Sequence, residues 1–404
     1  MTTISVAPTN TRPDHISLPR RRDATTQLQP SPLRPNCSAK DRLTLWAPAS
    51  ASNTNHGPLS EEDRERVKAV LAQAWAGSTQ ETYGAGLSAF HAFCDKKGVP
   101  EDARAPASTD LMVSFVATLA GTYAGSTIRN YFSGVRAWHI LHRVAWVLDK
   151  ATMDTILKAA DITTPETSKR SQRLPITVSD LLAIRQILDL GNSRDAAVWA
   201  CATSLFYGIA RTGELTVRTI KEYNPSIHPR RCNVSEQSDR RGNVVTAIYI
   251  PRTKTSIKGE EISFAQQRGL SDPVAALENH FRINAPNDSE HIFMHSTRRS
   301  SRSPLSRSIF LTRLKDVCQQ AQQRGLIPND NHFSGHSFRI GGTLEYLLRE
   351  VSFEVVKSMG RWASDAFQIY LRKHAQILAP YLQDKEGFGE FSRLAMPSIR
   401  AGRR

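Results

Sequence analysis

Four short segments in the second half of the chain carry side chains suited to chemistry on a phosphate group. They read FYGIARTGELTV, IPRTKTSIKG, GHSFRIGGT and GRWASDAFQIYLRKH, in that order. Guanidinium groups offer paired donors to phosphate oxygens, imidazole accepts or gives a proton near pH 7, and a tyrosine hydroxyl can act as a nucleophile. As an ordered set, these groups supply what a phosphoryl transfer needs without a metal ion. The residues are Arg211, Glu214, Lys254, Lys258, His336, Arg339, Arg361, Trp362 and Tyr370.

Each segment taken by itself also has a simpler interpretation. Arg211 and Glu214 stand at the spacing of a surface ion pair on a helix, and a lysine in a hairpin is usually solvated. His336 can be a core histidine with its hydrogen bonds made inside the fold, and Arg339 a surface residue. Trp362 and Tyr370 can be ordinary packing residues. Position favours the chemical interpretation, because Arg211 ends an apolar helix, where an unmatched charge is costly unless it meets an anion. His336 and Arg339 lie one turn apart at a helix start, where backbone amides also attract anions.

These segments belong to a predicted mixed domain at residues 178–385. The β-branched run, turn and second run of VVTAIYIPRTKTSIKGEEISFA predict a strand pair. Helical spacing of apolar residues predicts helices around that pair at 178–190, 194–209, 271–284, 305–324, 338–349, 353–359 and 364–374. These elements must bring together side chains that are far apart in sequence.

Residues 59–160 are predicted to form a separate all-helical domain. Ser60 followed by acids is typical of a helix start. The segments STQETYGAGLSAFHAFCDKKG and STIRNYFSGVRAWHILH each place apolar residues on one face at helical spacing. Two further helices are predicted at 109–121 and 150–160.

Three stretches lack apolar periodicity and are predicted to lie outside the two domains. Residues 1–58 are rich in Pro, Ser, Thr and Asn. They can bury too little apolar surface to offset the loss of conformational entropy on folding, so they are predicted to be a disordered basic tail. The run Arg20–Arg22 fits a solvated charge cluster, a nuclear address or a phosphate contact. Residues 161–177 are predicted to be a basic linker, and residues 386–404 a frayed C-terminal tail.

The bulk composition is that of an ordinary globular protein with a strongly basic charge. The chain has 404 residues, with 53 Lys and Arg against 38 Asp and Glu, and this formal net charge of +15 favours a polyanionic partner such as nucleic acid. The five cysteines are dispersed and form no C-x-x-C pair, so they are expected to be reduced and no zinc site is expected. The longest apolar run is too short to cross a bilayer, so no membrane partner is expected.

The ordered motifs resemble the tyrosine recombinase family, the phage integrase and Cre-like enzymes that break and rejoin DNA. SGHSFRIGG and IPRTKT are close in wording to family segments, and GRWASDAFQIYLRKH is similar to recombinases of eukaryotic mobile elements of the Crypton or DIRS type. The resemblance covers residues 70–382, approximately. It implies a mainly α fold with a small β-sheet, in which an all-helical, SAM-like core-binding domain precedes an α+β tyrosine-recombinase catalytic domain.

By matching position, the resemblance also implies catalytic roles. Arg211 and Arg339 would hold the scissile phosphate, and His336 would act as acid or base. Lys254 would protonate the leaving 5′-oxygen, and Tyr370 would attack to form a 3′-phosphotyrosyl link. Neither a cofactor nor a metal ion nor ATP is implied.

Supporting roles follow in the same way, with one departure from the family pattern. Glu214 matches an acidic position that orients the site, and Trp362 would support the phosphate or pack the segment of the nucleophile. The family's usual His or Trp stands nine residues before the nucleophile, which here is Arg361, whereas Trp362 stands eight before it. Either residue can fill that position, and Lys258 remains an alternative to Lys254.

The partner implied by the resemblance is double-stranded DNA, held by a clamp of the two domains within a homo-oligomer, from dimer to tetramer. Basic residues of the helical domain, the linker and the stretch 296–315 can contact phosphates, although a solvated surface explains them equally well. They are Arg129, Arg136, Lys169, Arg170, Arg173, Arg298, Arg299 and Arg302.

The function expected from this resemblance is site-specific recombination or integration of a mobile element. The location would be nuclear in a eukaryote and otherwise cytoplasmic. Two alternatives remain open: a domesticated DNA-binding protein that has lost strand transfer, and a type IB topoisomerase-like enzyme.

Overall fold

The chain divides into two compact units, residues 1–171 and 172–404. The computed structural model describes residues 28–52, 60–168, 173–296, 301–329, 332–364 and Ile377. The described part of the first unit is helical, and that of the second is helical with two small antiparallel sheets. The predicted mainly α fold with a small β component is therefore confirmed. The division between the units falls inside the stretch predicted to be a linker.

Capped amphipathic helices build the first unit. The side chain of Ser60 accepts a hydrogen bond from the amide of Asp63 and forms a capping box with it, and Ser108 and Asp149 cap two later helices. The helices are α1 (Arg42–Leu45), α2 (Glu61–Ala72), α3 (Gly77–Lys97), α4 (Thr109–Leu119), α5 (Gly125–Leu141) and α6 (Lys150–Ile162). Their shared core is aromatic: Phe90 and Phe115 meet edge to face with ring centroids 5.4 Å apart.

Residues 28–52 pack onto these helices. Leu43 and Trp46 are only 1% and 3% exposed, and the indole nitrogen of Trp138 donates to the Trp46 carbonyl at 2.7 Å. This segment differs from the disordered tail predicted for residues 1–58, because two large apolar side chains find a place in the helical core. Residues 1–27 and 53–59 of the predicted tail lie outside the described residues.

A buried group of charged residues lies in the same unit, and we name Arg34, His91, Asp95, Glu101 and Arg104 the Asp95 cluster. Asp95 accepts from Arg34 at 3.0 Å and from Arg104 at 2.8 Å, and Glu101 lies 3.0 Å from Arg34. The other Arg104 nitrogen lies 3.2 Å from Nδ1 of His91. Two arginines therefore meet two carboxylates.

The second unit surrounds one buried helix with further helices and two small sheets. Its helices are α7 (Val178–Ile187), α8 (Ser193–Tyr207), α9 (Thr212–Leu215), α10 (Pro273–Asn284), α11 (Arg307–Gln323), α12 (Gly335–Leu348) and α13 (Phe353–Met359). Its strands are β1 (Val234–Ser238), β2 (Val244–Ile250), β3 (Glu260–Phe264), β4 (Met294–Ser296) and β5 (Arg302–Pro304). The sheet order β1-β2-β3 is antiparallel throughout, and β4 pairs with β5.

Helix α8 is buried on almost every side and sets the position of α12. A Cβ atom added at Gly342 would lie 2.0 Å from the carbonyl oxygen of Phe206, so α12 approaches α8 more closely than any side chain at that position would allow. The packing brings the start of α12 beside the loop that follows α8. None of the described helices is both long and apolar enough to cross a membrane.

Candidate active site

The start of α12 lies directly against the start of α9. A Cβ atom added at Gly335 would lie 2.2 Å from the hydroxyl oxygen of Thr212. The residues that follow Gly335 and precede Thr212 are His336 and Arg211. Two of the four segments found in the sequence therefore meet here.

Arg211 and Glu214 form the ion pair that the sequence offered as the simpler interpretation, but not on the surface. Glu214 accepts from the Arg211 amide and from its Nη1, both at 2.7 Å. The Glu214 side chain is 5% exposed, whereas that of Arg211 is 21% exposed. Arg211 is thus anchored by a buried carboxylate while part of its side chain stays accessible to a ligand.

Arg339 is buried, with only 1% of its surface exposed. Its Nη1 donates to the Ile209 carbonyl at 2.7 Å, its Nη2 donates to the Gly360 carbonyl, and its guanidinium carbon lies 4.2 Å from the Trp362 ring centroid. Arg339 therefore joins the segment before Arg211 to the segment that carries Trp362. The surface arginine of the simpler interpretation is not observed, and the phosphate contact implied for Arg339 stays a prediction.

His336 is half-buried in a strongly positive environment. Burial lowers the pKa of its imidazole, and the positive charges of Arg173, Arg307, Arg339 and Arg211 lower that pKa further. The imidazole is consequently neutral at pH 7 and able to accept a proton. An anion placed among these guanidinium groups would be attracted by all four.

Arg361 lies between two carboxylates. Its Nη2 donates to Glu214 at 2.6 Å, and its Nε lies 3.7 Å from Oε2 of Glu260. The side chain is 8% exposed, and burial lowers its pKa while Glu214 and Glu260 oppose that shift. The phosphate contact considered for Arg361 stays a prediction, since both acids hold the guanidinium here.

The loop between β2 and β3 carries Lys254, and we name residues 251–259 the Lys254 loop. The hydroxyl groups of Thr253 and Thr255, on either side of Lys254, donate to Glu260 at 2.5 and 3.3 Å. Lys254 and Lys258 are both exposed, as solvated hairpin residues would be. Glu260 thus fixes the loop at the position where it also meets Arg361.

The remaining catalytic candidates follow α13. Trp362 is partly buried and packs on an apolar cluster that contains Ile209 and Ile377. Tyr370, the predicted nucleophile, lies outside the described residues, as does most of the helix predicted at 364–374. Trp362 precedes Tyr370 in sequence and Ile377 follows it. Both belong to the apolar cluster that also contains Ile209, two residues before Arg211.

The predicted DNA contacts fall into three groups. Arg136 and Arg173 are exposed. Arg129 forms an ion pair with Asp161, and Arg302 forms one with Glu290 at 2.7 Å. The others lie outside the described residues; they are Lys169, Arg170, Arg298 and Arg299.

Arg307 belongs to the basic stretch 296–315 proposed from the sequence but was not named singly, and Glu260 was not singled out at all. The Arg307 amide donates to the Val217 carbonyl at 2.7 Å, which joins the start of α11 to the strand-like segment after α9. A basic residue at the first position of a helix is unfavourable for the helix dipole, and this signal could have identified Arg307. Glu260 gave no signal, because its partner Arg361 is remote in sequence.

No group of three or more His, Cys, Asp or Glu side chains in the described ranges is arranged to hold a metal ion. The charged groups that the site does bring together are mostly cationic. The arrangement is suited to holding an anion directly with side chains.

No protein-family model and no curated protein sequence matches this chain. Several solved structures are similar to it in fold. The XerH site-specific recombinase bound to its difH substrate, before cleavage, is 12% identical, with 88% of this chain and 99% of that chain covered and a TM-score of 0.47. XerH on a palindromic difH substrate, after cleavage, is also 12% identical with the same coverage and a TM-score of 0.49.

A lambda integrase dimer bound to a COC′ core site is 14% identical, with 82% of this chain and 81% of that chain covered and a TM-score of 0.41. A likeness at these identities concerns the fold alone. At these TM-scores it transfers no residue's role, so the chemistry must be argued from the side chains of this chain.

Proposed function

We propose that this chain breaks and rejoins duplex DNA at specific sites through a 3′-phosphotyrosyl intermediate. One observation carries the proposal: the start of α12, with the half-buried His336, lies against the start of α9, where Arg211 is anchored by Glu214 yet accessible. The positive charges of four arginines act on the His336 imidazole. Such a place attracts a phosphodiester and stabilises the charge that grows on its nonbridging oxygens. Neutral His336 can accept the proton of an attacking hydroxyl.

The steps balance as a transesterification. The Tyr370 hydroxyl attacks phosphorus and gives its proton to His336, while the bond from phosphorus to the 5′-oxygen breaks. Lys254 gives a proton to the departing 5′-oxygen. The bond energy is kept in the phosphotyrosyl ester, so a 5′-hydroxyl from another strand can reverse the reaction.

The finer parts of the proposal rest on the sequence resemblance. We propose a recombinase of a mobile element of the Crypton or DIRS type, acting as a dimer to tetramer on DNA, in the nucleus of a eukaryotic cell. The net charge of +15 supports DNA as the partner, since phosphate contacts from Lys and Arg supply most of the affinity and make it depend on salt.

The test is covalent capture. The purified full chain is incubated with a nicked suicide duplex in EDTA and run on a denaturing gel. We expect a protein–DNA adduct that Tyr370→Phe abolishes. The matched control is Tyr223→Phe, which removes an exposed tyrosine hydroxyl in the same unit and should leave the adduct unchanged.

Each other outcome points elsewhere. Salt-sensitive DNA binding without an adduct would favour a DNA-binding protein that has lost strand transfer. A protein that forms the adduct and relaxes supercoiled plasmid, but never joins two DNA sites, would favour a topoisomerase. Complete inhibition by EDTA would contradict the metal-free mechanism.

A further inference from the structure

Arg361, which has no part in the proposed chemistry, occupies the centre of a series of polar contacts. Hydrogen bonds join Arg211 to Glu214 at 2.7 Å and Glu214 to Arg361 at 2.6 Å. The Arg361 Nε, a buried atom without a hydrogen bond, then forms a longer ion pair with Glu260 at 3.7 Å. From Glu260 the series continues to the hydroxyl of Thr253 at 2.5 Å. It therefore connects a proposed phosphate ligand to the neighbour of the proposed general acid.

These contacts are buried, which distinguishes them from an incidental ion pair on the surface. The side chains of Glu214 and Arg361 are 5% and 8% exposed, and Glu260 is 22% exposed. Removing one partner of such a group leaves an uncompensated buried charge. Without Arg361, Glu214 would keep Arg211, Glu260 would lose its ion pair, and the guanidinium that lies between the two carboxylates would be gone.

The backbone at Arg361 points to a use for its side chain. The residue follows α13 with φ of 56°, in the left-handed region that L side chains rarely adopt. A turn alone would be formed more easily by glycine. The arginine therefore contributes contacts that glycine lacks, and the contacts observed are those to the two acids.

We infer that Arg361 is a positioning residue that ties the Lys254 loop to the Arg211 segment through Glu260 and Glu214. In this role its guanidinium acts through the two carboxylates and not on the substrate. It fixes where the Lys254 loop lies, so that the lysine can protonate the leaving oxygen. This inference rests on the proposed function and adds to it the element that places the general acid.

The inference predicts a selective defect, and Glu260→Gln is the first variant to test. It keeps the shape of the side chain and an acceptor for Thr253, but removes the charge that faces Arg361. Cleavage of an ordinary duplex should slow by about 10-fold to 100-fold, a part of the factor that a placed general acid contributes. The control is Glu261→Gln, the next residue of β3, which is exposed and should cleave at the normal rate.

A duplex with sulfur in place of the bridging 5′-oxygen separates placement of the acid from general damage. A thiol leaving group has a pKa of about 8.5 and leaves without being protonated. Cleavage of this duplex by Glu260→Gln, Arg361→Gln and the reference variant Lys254→Ala should return close to the wild-type rate. A defect that persists on the sulfur duplex would overturn the inference, because a merely structural disturbance is not rescued by a better leaving group.

Hydrogen exchange tests the contact without any reaction. The amides of residues 253–260 should exchange faster in Arg361→Gln and Glu260→Gln than in Glu261→Gln. Unchanged exchange in both variants would overturn the inference even if the enzyme cleaves DNA. A wild-type chain that forms no adduct on either duplex would instead refute the proposed function, and the two failures are thus distinguished.

Discussion

Each unit of the chain places a histidine among arginines, and the two groups differ in how far carboxylates balance those arginines. In the Asp95 cluster, Arg34 and Arg104 meet Asp95 and Glu101, and His91 is buried behind them. Around His336, the positive charges of four arginines lower the pKa of the half-buried imidazole, and one of these arginines, Arg211, is paired with Glu214.

The difference in balance separates a structural cluster from a candidate site. Burial lowers the pKa of His91 most, and Arg34 and Arg104 add to this, but Asp95 pulls it back. Burial raises the pKa of Asp95, but the hydrogen bonds from Arg34, the Gln29 amide and Arg104 lower it by more. The net effect is a lowered pKa. The Asp95 cluster pairs two arginines with two carboxylates and needs no ligand. The His336 site, where Glu214 pairs with one arginine among four, is suited to an anion from outside.

The largest expected effect is on the stability of the first unit. Arg104→Ala removes the hydrogen bonds of a guanidinium that is 4% exposed, to Asp95 and to a backbone carbonyl, and also its packing, so the expected cost is about 3–5 kcal/mol although Asp95 keeps Arg34. Native-state hydrogen exchange of the α3 amides measures it. The control Arg64→Ala removes an exposed ion pair with Glu61 and should cost less than about 1 kcal/mol. Equal losses in the two variants would mean that the Asp95 cluster is not a structural centre.

Arg211→Ala, in contrast to Arg104→Ala, should reduce activity strongly and stability only slightly. Glu214 keeps Arg361 as a partner, so no buried charge is left unpaired. The single-turnover rate of adduct formation should fall by about 10²–10³-fold. Arg268→Ala, an exposed arginine of the same unit, serves as the control. A variant that still cleaves at the normal rate would remove Arg211 from the proposed phosphate site.

The pH dependence of stability should distinguish the two histidines. The pKa of His91 in the folded chain is well below its ordinary value, so below about pH 6.5 the unfolded state binds a proton that the folded state does not. Its contribution is fully present above that pH and is lost as the pH falls, by about 1.4 kcal/mol per unit. The α3 amides, followed by hydrogen exchange between pH 7 and 5, should show a slope that is smaller by this amount in His91→Gln.

For His336, the matching experiment measures the pKa of its imidazole by NMR. It uses the Tyr370→Phe variant, with and without DNA. A bound phosphodiester should raise this pKa, because it offsets the four arginines. The pKa of His91 should not respond to DNA. A response of His91, or none of His336, would break the distinction between the clusters.

The smallest expected effect concerns single phosphate contacts. Arg307→Ala should weaken DNA binding several-fold and reduce the slope of log affinity against log salt by about 1. Arg302→Ala should change that slope less, because its guanidinium already has the Glu290 carboxylate as a partner at 2.7 Å. Fluorescence anisotropy over a salt series measures both. A larger change for Arg302 would support the contact that the sequence suggested for it.

The sequence predicted local structure well where the signal is local. Helix α13 lies at Phe353–Met359, as predicted, whereas α12 begins at Gly335, earlier than predicted, where the Ser334 amide donates to the Ser337 hydroxyl at 3.0 Å. Strand β1, with the sequence VSEQS, was not predicted, since four of its five residues are exposed and polar or small. Its existence depends on pairing with β2.

The candidate site was predictable as a set of residue types but not as a set of contacts. Arg211 and Glu214 are close in sequence, so their pair could be foreseen. The burial of Arg339 depends on the carbonyls of Ile209 and Gly360, and neither carbonyl leaves a trace in a side-chain pattern. Long-range pairs of this kind become visible only when the backbone is folded.

The packing of residues 28–52 has a practical consequence for anyone who dissects the protein. A fragment that starts at residue 59 would lose the side chains of Leu43 and Trp46, each worth about 1.5–3 kcal/mol of apolar burial. It would also leave the Trp138 indole nitrogen without its carbonyl acceptor. The smallest version of the first unit that folds independently should therefore begin near residue 28.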